Sequence, residues 1–472
     1  MKFTMILATI LALCLVVNGG KSMKERFLKK ICSKVRSKGF VSRYADVQEV
    51  PLVGGSPAEN FARFKKRFRF FYSDFAQETN YTVYKVQLDT EKVVLADPVA
   101  LSWLWNNQRL ISKAEPGPFK LNSLRYVPAS LASNGRMHER LRRNYYKIYR
   151  HAYKKYGLEW AFNDLKQKFA ASFPVKGVKV PVERILDDIS IGNFAHFMYG
   201  KDWTEFKVYD QYAKVLSIVF PPTDQDDAII NKMFEEVSDT PLIKDELNSV
   251  FGRGKCKEEA TSEALFSVMC VGVPGLRKAM NSIVPLLVQL KPKDRNRINE
   301  EANTFFDATN SKSIDEKLKN AKTIEKFVLE MLRYVGGALG YVTYEANQDF
   351  IIPSYNGYYR IYKGQTLILH HFAAQRNPDT FRFPDEFTLT GNEEYLKENF
   401  FAFTGPYNMK ATYSNRKCPG QDLAMNLVKM YVIHLARCDI VPDSDLSFNQ
   451  LNGYRTESTD APLTVKSFVC KK

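Results

Sequence analysis

The fold is decided by residues 415–431, which read Asn-Arg-Lys-Cys-Pro-Gly-Gln-Asp-Leu-Ala-Met-Asn-Leu-Val-Lys-Met-Tyr. Apolar side chains recur three and four apart after the proline, which predicts a helix, and proline is favoured at a first helical position. Cys418 is therefore predicted at a helix start, where free N–H groups and the helix dipole favour a thiolate. Arg416 and Lys417 add nearby positive charge. The pattern is typical of a nucleophile or a metal ligand, and equally of a buried cysteine before a core helix.

Two pairs of charged residues upstream favour a functional cysteine over an ordinary buried one. Glu330 and Arg333 are three apart on a stretch with an apolar stripe, so both face one side of a predicted helix and are able to join a buried ion pair. His138 and Arg142 are four apart on a basic helical stretch, where two donors are able to grip a pair of carboxylates. Either pair alone is common on solvated helices. Their order before Cys418 is informative.

In this order the three elements resemble the cytochrome P-450 superfamily. The resemblance implies a mainly α fold, with a large helical body and a small β-rich subdomain. It also implies haem b, with its iron axially bound by Cys418 and a thiolate that favours O–O cleavage. The residues that it implies at the haem propionates are His138, Arg142 and Arg416.

The same resemblance gives Glu330 and Arg333 a structural role in the core beside the haem. A further arginine usually follows in the family, but residues 388–391 read Thr-Leu-Thr-Gly. Arg376 or Arg382 is expected to take its place.

The loop before Cys418 resembles that of one branch of the superfamily. Ordinary members carry a glycine four residues before the ligand, whereas here Gly405 and Pro406 lie about thirteen residues before it. A longer loop of this kind is found in allene oxide synthases, hydroperoxide lyases and epoxyalcohol synthases. Residues 372–378, Phe-Ala-Ala-Gln-Arg-Asn-Pro, also follow that branch. The resemblance covers roughly residues 50–465.

The helix expected to cross above the haem differs from that of a monooxygenase. A monooxygenase needs an acid and a threonine there to deliver protons to dioxygen. Residues 271–275 read Val-Gly-Val-Pro-Gly, so Pro274 stands in place of the acid and Gly275 in place of the threonine. These side chains cannot relay protons, and the proline predicts a kink. Dioxygen activation is therefore disfavoured.

The branch implies a polyunsaturated fatty-acid hydroperoxide as substrate, which brings its own O–O bond and requires no reductase. Val271 stands where plant members carry an asparagine thought to hold the hydroperoxide or its radical. Arg277 keeps the charge of their lysine and is predicted to pair with a fatty-acid carboxylate, or else to be an ordinary helix-end arginine. Without the asparagine, we expect an epoxyalcohol synthase, with hydroperoxide lyase and allene oxide synthase as alternatives. More distant alternatives are a reductase-dependent monooxygenase and a non-catalytic haem- or lipid-binding protein.

The N-terminal residues predict contact with the secretory membrane. Residues 1–20 contain an apolar run typical of a signal peptide or a short signal-anchor. Residues 21–49 form a basic juxtamembrane segment, with nine basic side chains and a single acidic one between residues 21 and 43, suited to an anionic lipid surface. Residues 50–472 are expected to form a single haem-thiolate catalytic domain. The expected location is the endoplasmic reticulum membrane, with secretion after signal cleavage as the alternative.

Composition excludes several classes of function. A chain of 472 residues, 45% hydrophobic and 25% charged, is typical of a folded globular protein. About half of the net charge of +16 lies in the basic segment, and no nucleic-acid-reading motif accompanies it, so no nucleic-acid partner is expected. The six histidines lack zinc spacing. The seven cysteines show no disulfide pattern that demands an oxidising compartment, and residues 80–82, Asn-Tyr-Thr, are the one glycosylation sequon.

Overall fold

The structure of the chain is a computed structural model. The residues that it describes are 47–67, 71–113, 134–211, 224–336, 342–391, 393–443 and 463–471. The predicted signal peptide or signal-anchor at residues 1–20, and the basic segment up to residue 46, lie outside these ranges. Among the described helices, none combines the length and the hydropathy that crossing a membrane requires.

The helical body predicted from the sequence is present. A π-helical segment (Leu265–Gly272) runs directly into one of the longest helices. The helices, in chain order, are α1 (Pro57–Arg67), α2 (Phe71–Thr79), α3 (Pro98–Asn106), α4 (Gly135–Lys155), α5 (Gly157–Ser172), α6 (Glu183–Tyr199), α7 (Asp224–Ser238), α8 (Pro241–Lys244), α9 (Leu247–Phe251), α10 (Lys257–Ala264), α11 (Val273–Gln289), α12 (Pro292–Asn303), α13 (Ile314–Asn320), α14 (Lys322–Val335), α15 (His371–Ala374), α16 (Glu393–Glu398) and α17 (Gln421–Ala436).

The strands form three small sheets with the orders β1-β9-β8, β2-β3-β4-β10-β7-β5 and β11-β12-β6. They are β1 (Val47–Glu49), β2 (Leu52–Val53), β3 (Val83–Gln87), β4 (Glu91–Leu95), β5 (Ile111–Ser112), β6 (Val175–Pro181), β7 (Val342–Ala346), β8 (Phe350–Ser354), β9 (Gly357–Ile361), β10 (Thr366–Leu369), β11 (Cys438–Pro442) and β12 (Thr464–Cys470). Strands β3 and β4 lie within residues 81–95, and β8, β9 and β10 lie within residues 349–369. Since β1 already pairs with β9, sheet structure begins slightly before the predicted domain boundary at residue 50.

Helix α17, which follows the candidate ligand cysteine, lies in the largest hydrophobic core. Its residues from Leu427 to Ala436 are buried on every side, and it packs against α5, α11, α12 and α14. The apolar stripe of α14 is also buried, with Ile324, Phe327 and Val328 fully inaccessible. The apolar faces of α14 and α17 are buried against one another. The chain between these two helices therefore begins and ends at the same core, and its loops lie beside that core.

Asp97 joins the start of α3 to the β-rich part of the chain. Its buried carboxylate accepts hydrogen bonds from the backbone N–H groups of Val99 (2.6 Å) and Ala100 (3.0 Å), so it is the N-cap of α3. It also accepts from the hydroxyls of Thr82 (3.0 Å) and Ser354 (2.5 Å). A single carboxylate therefore joins the start of α3 to the residue before β3 and to the end of β8, which are distant in sequence.

The proline of the 271–275 stretch marks a change of helix type. The chain is π-helical up to Gly272, and α11 then begins with Pro274 in its first turn. Proline has no N–H to donate to the preceding turn, so a new helix start tolerates it where a helix interior would not. Gly272 is required by a close approach, because a Cβ there would lie 2.5 Å from Cε1 of Phe194 in α6.

A disulfide joins Cys438 of β11 to Cys470 of β12. The two residues are 32 apart in sequence and directly opposite in the antiparallel ladder. The spacing of the cysteines in the sequence did not predict this pair. Their separation matches no spacing motif, so only strand pairing brings the two thiols together.

Candidate active site

Cys418 ends a long loop that folds back on itself. Its backbone N–H donates to the carbonyl oxygen of Phe403 at 3.1 Å. The neighbouring Lys417 is buried, and its ammonium donates to the carbonyl oxygens of Gly405 (3.0 Å) and Pro406 (2.7 Å). The Gly-Pro pair that distinguishes this loop in the sequence therefore accepts the hydrogen bonds that hold the cysteine in place.

Helix α17 begins at Gln421, so Pro419 belongs to the preceding turn and not to the first helical position that was predicted. Burial raises the pKa of the Cys418 thiol above its ordinary value. The backbone N–H of Gly420 and the charges of Lys417 and Arg142 act in the opposite direction and favour the thiolate. The predicted stabilisation of the thiolate by a backbone N–H and by nearby cations is thus present, but the effect of burial on the pKa is larger. The arginine that contributes is Arg142, whereas Arg416 was expected.

The three predicted propionate contacts lie together beside the Cys418 loop. Arg142 is 2% exposed and donates from Nε to the carbonyl oxygen of Thr412 at 2.6 Å, and its guanidinium also donates to the carbonyl oxygen of Lys417. His138 donates from Nε2 to the carbonyl oxygen of Asn415 at 3.1 Å. The guanidinium of Arg416 lies 2.8 Å from Nδ1 of His138. Helix α4 and the ligand loop are therefore joined through these basic side chains.

This cluster concentrates positive charge in a buried place. Burial lowers the pKa of Arg142 and of Arg416, and the charge of Arg142 lowers that of Arg416 further. Burial, followed by the charge of Arg416, lowers the pKa of Lys113 to about 7. A buried charge is costly unless an opposite charge accompanies it. The cluster therefore suits a dianionic group such as the two propionates of haem.

A cavity opens over Cys418 between α4, the π-helical segment, α11 and α17. The thiol side chain, Arg142 and Arg416 line one part of it, and Gly272 and Gly275 line the distal part. These features fit haem: a thiol and cationic groups lie on one side of the cavity, and the distal side has no bulky side chains at the two glycines.

Two polar side chains on the cavity wall, those of Glu263 and His371, were not predicted from the sequence. Glu263, at the end of α10, accepts a hydrogen bond from Asn144 at 3.0 Å and lies 3.5 Å from the ammonium of Lys255. Burial raises the pKa of its carboxyl to about 7, and Lys255 acts in the opposite direction. Ser267 lies one helical turn further along the same wall. An acid within a helical stretch is ordinarily solvated, so only the fold distinguishes Glu263 from its neighbours.

His371 is the second group missed. Burial, followed by the nearby charges of His370, Lys417 and Lys113, lowers its pKa to about 3, so the imidazole is neutral at physiological pH. Its ring stacks on that of Trp105 at 5.9 Å. Its Nε2 is buried and forms no hydrogen bond with any described residue, although the side chain lines the cavity. A bound group in the cavity is able to satisfy this nitrogen.

Arg277 is placed differently from its predicted role. It is 8% exposed and forms an ion pair with Asp187 of α6, and Asn281 donates to the same carboxylate at 3.1 Å. The pair joins α11 to α6, and Arg277 is not part of the cavity wall. The geometry therefore gives no support to pairing with a fatty-acid carboxylate. Val271 lies in the π-helical segment, and its side chain lies outside the described part of the chain.

Glu330 and Arg333 form the buried pair that the sequence predicts. The guanidinium donates from Nε and from Nη2 to the two carboxylate oxygens, both at 2.8 Å. Its remaining N–H groups donate to the carbonyl oxygens of Gln375 (3.2 Å), Pro384 (2.7 Å) and Glu386 (2.7 Å). The pair thus fixes the chain between α15 and α16 against α14.

Arg376 does not replace the arginine that the family usually carries. It forms an exposed ion pair with Asp385 at 2.9 Å and donates to the carbonyl oxygen of Tyr334 at 2.8 Å. The backbone N–H of Thr388 donates to Glu330 at 3.2 Å instead. Main-chain groups therefore satisfy the buried pair where a side chain was expected.

Comparison with known proteins finds a matching family model and several similar proteins. The family model "Cytochrome P450" matches residues 228–444. Allene oxide synthase, chloroplastic, of Arabidopsis thaliana is 24% identical over 191 residues, which are 39% of this chain and 36% of that protein. The 9-divinyl ether synthase of Capsicum annuum is 24% identical over 180 residues, 38% of this chain and 37% of that protein. Each match spans little more than a third of the relative.

Solved structures show the same fold over most of the chain. The cytochrome P450DA heme domain has a TM-score of 0.68 at 14% identity, and a triple mutant of it has a TM-score of 0.71 at 15% identity. Both alignments cover 90% of this chain and 98% of the other. The predicted mainly α fold with small sheets is confirmed.

Proposed function

We propose that this chain, a cytochrome P-450 by fold and by sequence with haem held through a cysteine thiolate, rearranges polyunsaturated fatty-acid hydroperoxides without dioxygen or a reductase. We propose epoxyalcohols as its main products. The observation that carries the proposal is the junction between the π-helical segment and α11, where Pro274 and Gly275 occupy the positions that handle dioxygen in monooxygenases. The relatives named allene oxide synthase and divinyl ether synthase support the same branch.

Haem b bound through Cys418 would supply homolytic cleavage of the substrate O–O bond. The chain supplies the surroundings of that step. His138, Arg142 and Arg416 would hold the propionates. Apolar wall residues such as Phe194 and Leu276 exclude water and contact the acyl chain.

Epoxyalcohol formation balances without an external electron donor. The O–O bond breaks, one oxygen closes an epoxide on the neighbouring double bond, and the hydroxyl returns to carbon. The product is an isomer of the hydroperoxide. Because the wall around Cys418 is mainly apolar, bulk water has little access to the reacting carbon. Recapture of the hydroxyl is therefore favoured.

Allene oxide synthase is the second candidate, and two observations favour it. Forming an allene oxide removes a proton and releases water, which requires a base. Glu263 is an acid–base group on the cavity wall with a pKa raised to about 7 by burial. Three of the similar proteins are also named allene oxide synthase.

A single incubation tests the proposal. The haem-loaded chain is mixed anaerobically with a fatty-acid hydroperoxide labelled with ¹⁸O in both oxygens, without NADPH or reductase, and the products are identified by mass spectrometry. We expect catalytic turnover and epoxyalcohols that keep both labelled oxygens. Ketols, the hydrolysis products of allene oxides, would select the second candidate. A requirement for NADPH and dioxygen would indicate a monooxygenase, and stoichiometric binding without turnover a non-catalytic protein.

The acid on the cavity wall predicts a pH effect. The pKa of Glu263 is raised to about 7, so its carboxyl is largely neutral below that pH and charged above it. In the wild-type chain, the rate of hydroperoxide consumption should change with an apparent pKa near 7. In the Glu263→Gln variant, the same rate should stay constant between about pH 6 and 8. The matched control is Glu259→Gln on the same helix, which pairs with Lys255 at 2.9 Å but does not line the cavity. An unchanged profile in Glu263→Gln would show that this acid does not take part.

A further inference from the structure

The turn between α2 and β3 carries a modification signal that the haem chemistry does not use. Asn80 is exposed and has a φ of +57°, in the left-handed region that asparagine tolerates better than most residues. Tyr81 is 39% exposed. With Thr82 these residues form Asn-Tyr-Thr, the acceptor sequence for N-linked glycans, which occurs once in the chain. The sequon therefore lies on the surface, as a glycan requires.

The surroundings of the sequon leave its asparagine accessible. The hydroxyl of Thr82 is anchored inward on Asp97 and Ser354. The main-chain oxygen of Asn80 accepts a hydrogen bond from the side-chain amide of Asn356 at 3.4 Å. A glycan on the exposed side chain of Asn80 would displace no buried group of the described residues.

The C-terminal strand pair gives an independent signal. The disulfide between Cys438 and Cys470 ties the last strand to the strand that follows α17, and Cys438 is 2% exposed. Cytosolic thiols are kept reduced, whereas disulfides form and persist in the secretory pathway. A disulfide between two cysteines that face each other at the end of a strand ladder is therefore the expected arrangement for a chain that folds in an oxidising compartment.

We propose that the catalytic domain folds in the lumen of the secretory pathway, where Asn80 receives an N-linked glycan and Cys438 and Cys470 are oxidised. The apolar run in residues 1–20 is the matching entry signal in the sequence. In glycosylation, Nδ2 of Asn80 loses a proton and bonds to the sugar of a lipid-linked oligosaccharide, whose pyrophosphate leaves. In oxidation, the two thiols give two protons and two electrons to the disulfide of a thiol oxidoreductase.

Folding in the lumen agrees with the alternative of secretion after signal cleavage, and differs from an anchored domain on the cytosolic side of the endoplasmic reticulum membrane. It also goes beyond the proposed function. A lumenal or secreted catalytic domain is separated by a membrane from electron donors in the cytosol. Rearrangement of a hydroperoxide takes no external electrons, so the two proposals are compatible but independent.

The test uses the full-length chain expressed in animal cells with a C-terminal tag. Treatment with peptide N-glycosidase should increase its electrophoretic mobility by one step and convert Asn80 to aspartate in the peptide map. Asn80→Asp and Asn80→Gly should lack the step, and glycine tolerates the positive φ, so misfolding does not confound the result. Thr82→Ser keeps both the sequon and the hydroxyl on Asp97, and should retain the glycan.

Alkylation of the native chain without reductant, followed by peptide mapping, shows which cysteines of the same preparation are free thiols and which are disulfide-linked. We expect the Cys438 and Cys470 peptides to be linked, and to separate after reduction. An unglycosylated Asn80 overturns the proposal, as do alkylated Cys438 and Cys470 thiols. Neither readout depends on haem or on turnover, so this failure is distinguishable from failure of the proposed enzymatic function.

Discussion

Cys418→Ser should abolish hydroperoxide turnover and remove the haem-thiolate signature from the carbon monoxide difference spectrum. The serine hydroxyl is nearly isosteric with the thiol and keeps the hydrogen bond from the backbone to Phe403, but it is not anionic at neutral pH. It therefore cannot supply the electron donation that favours O–O cleavage. The loss of rate should exceed the roughly 10–100-fold that follows changes to groups behind a metal ligand.

The matched control is Cys256→Ser. Cys256 is also a free cysteine, and it is exposed and does not line the cavity. We expect its absorption spectrum and its rate to equal those of the wild-type chain. A Cys418→Ser protein with wild-type activity would contradict the assignment of the ligand, and a wild-type chain that shows no Soret band after incubation with hemin would contradict the haem site itself.

Arg333→Ala should lower the free energy of unfolding by about 3–5 kcal/mol, which is the usual cost of breaking a buried ion pair from one side. The substitution leaves the carboxylate of Glu330 buried without its two-pronged partner. It also removes the donors of three main-chain carbonyl groups, those of Gln375, Pro384 and Glu386. Urea-induced unfolding followed by circular dichroism measures the change, and haem content should fall with it.

Two variants sharpen this prediction. Arg333→Lys keeps the charge but not the planar fork, so it should lie between alanine and wild type. Arg376→Ala removes an arginine from the same region whose ion-pair partner, Asp385, is exposed, and its ion pair should contribute no more than about 1 kcal/mol. Equal stabilities for Arg333→Ala and Arg376→Ala would show that the buried pair does not hold this part of the fold.

The local parts of the site could be predicted from the sequence. The helices that carry Arg333 and follow Cys418 are visible as apolar residues three and four apart, because helical side chains on one face repeat at that spacing. The same spacing put Glu330 beside Arg333 and His138 on the face of Arg142. The order of these motifs along the chain was enough to indicate a cytochrome P-450, and the stretch at Pro274 was enough to argue against dioxygen chemistry.

Other features depend on contacts between residues far apart in the chain. Arg277 and Asp187 are 90 residues apart, and no local pattern shows that the arginine binds a protein carboxylate. The pairing of Cys438 with Cys470 likewise requires the register of two strands. Glu263 differs from neighbouring acids only because it lies against a cavity, where desolvation raises its pKa.

The sequence by itself determined the secondary structure around the candidate ligand and the family to which its motifs point, since both depend on spacing along the chain. The tertiary structure alone decided which charged side chains face the cavity and which are already paired within the protein. It also decided that the main-chain N–H of Thr388 donates to Glu330 where a family arginine is missing. The physical reason is that burial and pairing are set by neighbours in space, and folding brings those neighbours from any distance in the sequence.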